Sequence, residues 1–248
     1  MGPVPAARNT LRILTLLSAI DVPVSAARIR TELGLPRSTT YDLLGELERA
    51  GFVVHLAEAQ TYGLGMAAYS MSAAYATQQP LVRLGERHLR RLAEQAGGSG
   101  HLSRLSGEEI VYLCEVRAAG AHALVTQVGV RLHAHRTASG RVMLAMLDDA
   151  AAKAICATAG VRGSQWAQLR AQLTRIRADG YAAEVEEVSR GQQSLAVAVR
   201  DHVGRPAAAM AVTFPVDRLE AQERAELLVA LTSAAAHLSH KVYATPLG

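Results

Sequence analysis

The chain has 248 residues, half of them hydrophobic, enough for one large domain or two modest ones around a sizeable core. Its formal net charge is +4, carried almost wholly by arginine, and its two cysteines, Cys114 and Cys156, stand far apart. This excludes a disulfide scaffold or paired-cysteine site and predicts a reduced, cytoplasmic setting; no run of ~18 apolar residues suggests a membrane span, and the first residues hold no signal-like apolar stretch.

Asn9-Thr10 is a cap signal for a first helix, with Leu11, Leu14, Leu16, Leu17 and Ile20 as its apolar side and Asp21-Val22-Pro23 as its end. The next stretch, SAARIRTELGLPRSTTYDLLGELERAG from Ser25 to Gly51, reads as two short helices joined by a tight turn. Ser25 can accept a bond from a free N–H of the first turn, and Ala26, Ile29 and Leu33 share one face. Gly34 stands where a helix closes in a left-handed residue, and Pro36 suits the cap or first position of the following helix. Thr40, Leu43, Leu44 and Leu47 then line an inward stripe. Arg37, Ser38, Thr39 and Tyr41 are left at the exposed N-terminal end of that helix. Two short strands, Phe52 to His55 and Thr61 to Leu64, flank a hairpin tip at Ala57-Glu58-Ala59-Gln60. Helix, turn, helix and hairpin in this order predict a winged helix-turn-helix, whose second helix enters the major groove of DNA.

Charge does not reinforce that expectation. Residues 1–65 hold six arginines (8, 12, 28, 30, 37, 49) and six acids (21, 32, 42, 46, 48, 58). Affinity for DNA then rests on a few placed arginines, backbone N–H groups and a doubled site in a dimer rather than on bulk charge. Arg37, Ser38, Thr39 and Tyr41 are the expected readers of the groove, and Arg8, Arg12 and Arg49 the expected phosphate contacts. A protein-binding first domain remains the rival on these residues alone.

Met66 to Thr77 is alanine-rich and uncharged, so it either lies on its own domain or packs on its counterpart in a second subunit. Gln78-Gln79-Pro80 breaks it. Leu81 to Ala96 follows as an amphipathic helix with Arg83, Arg87, Arg90 and Arg91 on a solvated face. After Gly97-Gly98-Ser99-Gly100 the pattern turns to strands at His101 to Leu105 and Glu109 to Val116, with a hairpin signal between them, and at Ala123 to Val130. Helices are predicted at Thr137 to Leu147, Asp149 to Thr158 and Ser164 to Asp179. Strands return at Tyr181 to Val188, Ser194 to Arg200 and Ala207 to Phe214, before a terminal helix from Asp217 to Tyr243. The fold class is α+β with an antiparallel sheet in the second part. The boundaries are 6–65 for the winged helix, 66–80 for a linker helix and 81–248 for the second domain.

Chemistry is sparse. His133 and His135 have no third metal ligand near them in sequence, and Ser139 and Ser194 lack the elbow that activates a nucleophile. Glu184, Glu186 and Glu187 read as a solvated acidic run or as paired carboxylates. No phosphate-binding glycine loop occurs. Thr137-Ala138-Ser139-Gly140 can be either a ligand nest at a helix N-terminus or a close helix–sheet contact that needs small side chains. No catalytic residue, metal or cofactor is indicated.

Three segments in order, GLPRSTTYDLLGELERAGFV, LHAHRTASGRVMLAML and RGQQSLAVAVRDHVGRPAAAMAVTFPVDRL, resemble the isocitrate lyase regulator (IclR) family of bacterial transcription factors over nearly the whole chain. The resemblance implies a winged helix, a linker helix used for dimerisation, and an effector-binding domain with a GAF-like fold. It implies a homodimer or dimer of dimers on a palindromic operator, modulated by a small organic effector such as an organic acid or small aromatic compound. Carried over residue by residue, the effector positions are Thr137, Ala138, Ser139, Gly140, Glu184, Ser194, Ala211 and Thr213. The chain departs from the family pattern at Glu184 (often Asp), Ser194 (Cys in some members), Ala211 (commonly Ser) and Asp42 (frequently Arg). The expectation is a ligand-responsive transcriptional regulator and not an enzyme, the rival being a metabolite sensor that does not read DNA.

Overall fold

The computed structural model describes residues 4–20, 22–78 and 80–243, in two compact units, 1–78 and 79–248. Asp21 and Gln79, expected at the ends of two helices, lie outside the described residues.

The first unit holds α1 (Pro5–Ser18), β1 (Val24–Ser25), α2 (Ala26–Leu33), α3 (Arg37–Arg49), β2 (Val53–Leu56), β3 (Thr61–Leu64) and α4 (Met66–Gln78). Helix α1 starts earlier than its sequence suggests. Pro5 opens it and Val4 caps it without a side-chain bond, so Asn9 and Thr10 lie inside the helix, where Thr10 Oγ1 donates to Ala6 O at 2.9 Å. Its buried face runs through Ile13 and Leu17, one helical repeat apart, which leaves Leu11 exposed. The turn between α2 and α3 follows the expected chemistry. The Arg28 N–H donates to Ser25 Oγ, Gly34 closes α2 at φ +64°, and Pro36 caps α3. Ile13, Ile29, Leu44, Leu47 and Val53 meet in one core with Leu35 and Tyr62. The β2–β3 hairpin is joined by β1, which pairs Val24 with Tyr62 and Ser25 with Thr61, making a three-stranded sheet of order β1-β3-β2.

The second unit is built on a six-stranded antiparallel sheet of order β6-β5-β4-β9-β8-β7. Its strands are β4 (Ser99–Ser106), β5 (Glu109–Arg117), β6 (Arg131–His133), β7 (Ala182–Val185), β8 (Gln192–Arg200) and β9 (Pro206–Pro215). One face carries α5 (Pro80–Ala96) and the terminal helix α9 (Ala221–Tyr243), packed through Leu89, Leu102, Val197, Met210, Phe214 and Leu231. The other carries a short 3-10 turn (Ala134–Arg136), α6 (Ala138–Ala145), α7 (Asp149–Thr158) and α8 (Gly163–Asp179), packed through Ile110, Val142, Met143, Leu173, Ala196 and Ala211. With both faces covered, the polar residues of β4 cannot face water: Ser99, His101 and Ser103 are all buried.

Two expected strands are shortened or absent. Ala123 to Val130 forms no strand; the chain from Ala118 to Val130 is irregular, and only Arg131–His133 joins the sheet, beside β5. Gly129 turns this segment at φ +87°, and its N–H donates to Tyr112 O at 2.8 Å. Tyr181 to Val188 reduces to β7, because Glu186 at φ +59° and Gly191 at φ +74° fold residues 186–191 into a strap. No described helix is long and apolar enough to cross a membrane.

Candidate functional site

The first unit presents one end of α3. Arg37 and Ser38 are exposed, Thr39 is half-buried and Tyr41 is 49% exposed, while Thr40 between them points inward and donates to Pro36 O at 2.9 Å. The Arg37 guanidinium lies 6.0 Å from the centre of the Tyr41 ring, at the outer reach of a cation–π contact. The flanking arginines differ in their freedom. Arg12 is tied to Leu33 O at 2.9 Å, and Arg49 to Glu46 at 2.6 Å, whereas Arg8 is exposed with no side-chain partner among the described residues. Asp42 is exposed on the same helix.

The second unit holds a cavity between the sheet and the N-terminus of α6. It is lined by Thr137, Ala138, Ser139, Glu184, Ser194, Ala211 and Thr213, seven of the eight effector positions named from the resemblance. The eighth, Gly140, is packed beneath them: a Cβ there would stand 2.1 Å from Ala134 O. Both readings of the Thr137–Gly140 segment therefore have a physical counterpart, the glycine as a close contact and the residues before it as a cavity wall. Thr137 caps α6 by accepting from the Gly140 N–H at 2.9 Å. The first-turn N–H groups of Ala138 and Ser139 have no carbonyl within the helix to bond.

Glu184 is not part of a solvated run. It is 4% exposed, and its register partner is Ser194, whose own partner on β9 is Thr213. Ser194 Oγ donates to Glu184 Oε1 at 2.7 Å and lies 2.9 Å from Thr213 Oγ1. The other carboxylate oxygen accepts the Glu187 N–H at 3.0 Å. Glu187 in turn meets Arg141, whose Nη1 donates to Glu187 Oε1 at 2.7 Å and whose Nε donates to His135 O at 2.7 Å. This latch holds the strap down, so that Val188 and Ser189 close one side of the cavity. Leu124 and Thr126, from the irregular segment before β6, close another. The enclosed space is about 20 Å³, room for about one ordered water.

The remaining walls are His101 and Tyr112, neither marked by the sequence patterns. Tyr112 faces the cavity because the ladder between β4 and β5 shifts register after Leu102, which pairs with Cys114 while Ser103 pairs with Tyr112. Leu113 is the extra residue, and a bulge of this kind re-aims side chains. Ile110 and Tyr112 accordingly pack on the α6 side and Cys114 and Val116 on the α5 side. The His101 ring meets Tyr112 edge-on at 5.5 Å. Burial, with a smaller push from Arg117, lowers the His101 imidazole to about 3, so the ring is neutral. Burial first, then the charges of Glu184 and Glu115, pushes the Tyr112 phenol above its ordinary value. His133 and His135 stack at 5.6 Å, and among the described residues no three His, Cys, Asp or Glu side chains gather as metal ligands would.

Comparison with known proteins identifies the family of both units. Residues 6–57 match the IclR helix-turn-helix domain, and residues 73–240 match the family described as bacterial transcriptional regulator IclR C-terminal. The HTH-type transcriptional regulator XynR of Escherichia coli K12 is 28% identical over 246 residues, covering 96% of this chain and 97% of its own. The crystal structure of an IclR-type regulator from Silicibacter sp. TM1040 superposes with a TM-score of 0.82 at 25% identity, covering 98% of each chain. An IclR homologue from Microbacterium hydrocarbonoxydans, solved in complex with 4-hydroxybenzoate, shares the fold with a TM-score of 0.76 at 19% identity, over 97% of this chain and 100% of that one. With a helix-turn-helix unit of the DNA-binding kind and a matching second unit over most of its length, the chain belongs to the IclR family of bacterial transcriptional regulators, which are not enzymes.

Proposed function

We propose that the protein is a ligand-responsive regulator that binds a palindromic operator as a dimer or dimer of dimers in the cytoplasm. Arg37, Ser38, Thr39 and Tyr41 read the major groove, Arg8 is the freest phosphate contact, and Arg12 and Arg49 contribute less because each is engaged within its own unit. Two recognition helices about 34 Å apart meet successive grooves on one side of the duplex. Residues 6–65 form the reading domain, 66–80 the linker and 81–248 the effector domain. In α4 the exposed Met66, Tyr69 and Met71 support a helix that packs on a second copy of itself.

The observation that carries the ligand response is the cavity, where the buried row of Glu184, Ser194 and Thr213 faces the open first turn of α6. An organic acid or small aromatic compound placed there has N–H donors for its acceptors and Glu184 for its donors. The relative with 4-hydroxybenzoate supports that class. Binding shifts the populations of DNA-competent arrangements, and operator DNA changes effector affinity by the same factor.

Fluorescence anisotropy on the protein's own upstream region, at two salt concentrations and with or without 4-hydroxybenzoate, tests this. Wild type binds with a salt-dependent affinity that the compound shifts. Arg37→Ala weakens binding by about tenfold or more. Absence of binding by a folded dimer to both the upstream region and duplexes selected from a random pool would overturn the reading.

A further inference from the structure

The cavity contains hydrogen-bonding groups that no protein atom satisfies. Both ring nitrogens of His101 are buried without a partner, and so is Thr126 Oγ1. His101 is 1% exposed, in the middle of a six-stranded sheet. An apolar ring would fill the same space without burying two unpaired nitrogens, so fold stability alone does not call for an imidazole there. Its register partner on β9 is Ala211, which also lines the cavity, so a small side chain stands beside the ring.

The chemistry of this end differs from that of the Glu184 end. His101 lies on β4, three strand spacings or about 14 Å from β7, which carries Glu184. Its ring neighbour in the wall is Tyr112, and its register partner on β5 is Glu115. A neutral imidazole offers one donor and one acceptor, which matches a hydroxyl and leaves a carboxylate half-served.

Resting on the effector-cavity reading above, we infer that His101 is a specificity-determining residue, which selects effectors carrying a hydroxyl group at the end remote from the one held by α6 and Glu184. The hydroxyl donates to the bare ring nitrogen and accepts from the Thr126 hydroxyl, so that the acceptor of the ring and Thr126 are paired at once. A compound of the same shape without the hydroxyl leaves these groups buried and unpaired, and is rejected for that reason.

Titration calorimetry with benzoate and 4-hydroxybenzoate on full-length wild type, His101→Phe and His101→Gln decides the matter, with melting temperatures of the free proteins alongside. Wild type prefers 4-hydroxybenzoate by about tenfold or more, His101→Phe binds the two within about twofold, and His101→Gln keeps most of the preference because the amide also donates and accepts. Free His101→Phe melts at or above the wild-type temperature, since it loses an unpaired group. An unchanged preference in His101→Phe, or a lower melting temperature, overturns the inference by making the imidazole structural. Equal affinity of wild type for both compounds overturns this inference and leaves the cavity reading standing. Binding of neither at millimolar concentration overturns this inference together with the small-aromatic form of the cavity reading.

Discussion

Arg141 and Glu187 join across the rim of the cavity through paired N–H···O contacts, linking the first turns of α6 to the strap that follows β7. The guanidinium is nearly buried and the carboxylate is about half exposed, so the pair is worth less than a fully desolvated one. It still fixes Glu187, whose backbone N–H holds the Glu184 carboxylate.

Replacing Arg141 with glutamine is therefore expected to lower the stability of the second unit by about 2 kcal/mol, discounted for the exposure of Glu187. The midpoint of urea unfolding measures that loss. Hydrogen exchange gives the local part: amides of residues 186–191 lose protection well before those of β8.

Two glycine substitutions should act in opposite directions. Gly140→Ala forces a Cβ into the Ala134 carbonyl at 2.1 Å and costs about 3 kcal/mol. Gly45→Ala, inside α3 with no heavy atom within 4 Å of the new Cβ, stabilises by about 0.5–1 kcal/mol. Thermal melts of both variants beside wild type check the pair.

Acid should weaken the second unit through His101. The ring titrates near its ordinary value in the unfolded chain but only at about 3 in the folded one, so between those limits the unfolded state binds the extra proton and stability falls as pH falls. The groups around the ring are Tyr112 and Glu115 on β5, Arg117 at the end of that strand and Glu184 across the cavity. The drop from pH 7 to pH 5 due to this one group is about 2 kcal/mol. Urea midpoints at the two pH values show a slope that is steeper in wild type than in His101→Phe by that amount.

Tyr69→Lys places a charge on the exposed apolar side of α4, where Tyr69 is 68% exposed. If that side meets a second copy, the variant sediments toward monomer and loses operator affinity in proportion, with its melting temperature within about 1 kcal/mol equivalent of wild type at concentrations where both are monomeric. Analytical ultracentrifugation against concentration measures it.

The helix-turn-helix unit was largely legible because its signals are local. Ser25, Gly34 and Pro36 act through hydrogen bonds and φ angles within a few residues, and each does in the structure what its chemistry indicates. Strand β1 was not legible: two residues show no alternation, and Val24 and Ser25 become a strand only by pairing with Tyr62 and Thr61. The start of α1 carried a signal, proline at the first helical position, that Asn9-Thr10 overshadowed. Ala123–Val130 has strand-like residues but makes loop, because Gly129 turns the chain and Thr126 is drawn inward over the cavity.

The cavity wall was hidden by two features of the sheet. Alternation in Ser99–Ser106 makes Ser99, His101 and Ser103 look like a solvent face, a conclusion that fails when helices cover both sides. The regular spacing of Ile110, Tyr112, Cys114 and Val116 reads as a single stripe, yet the bulge at Leu113 divides it between opposite faces. Glu184 illustrates a third limit, since an acidic run gives no sign of which carboxylate the next strand will cover with a hydroxyl.

A chamber of about 20 Å³ behind a latched strap also sets a clock. If the effector is held here, the strap or the segment before β6 must move to admit it, and the observed association rate would rise with concentration only until it met the rate of opening, then stay flat. Departure would wait on the same event. The regulator would then respond to the history of its effector over the lifetime of the closed form rather than to each fluctuation in supply.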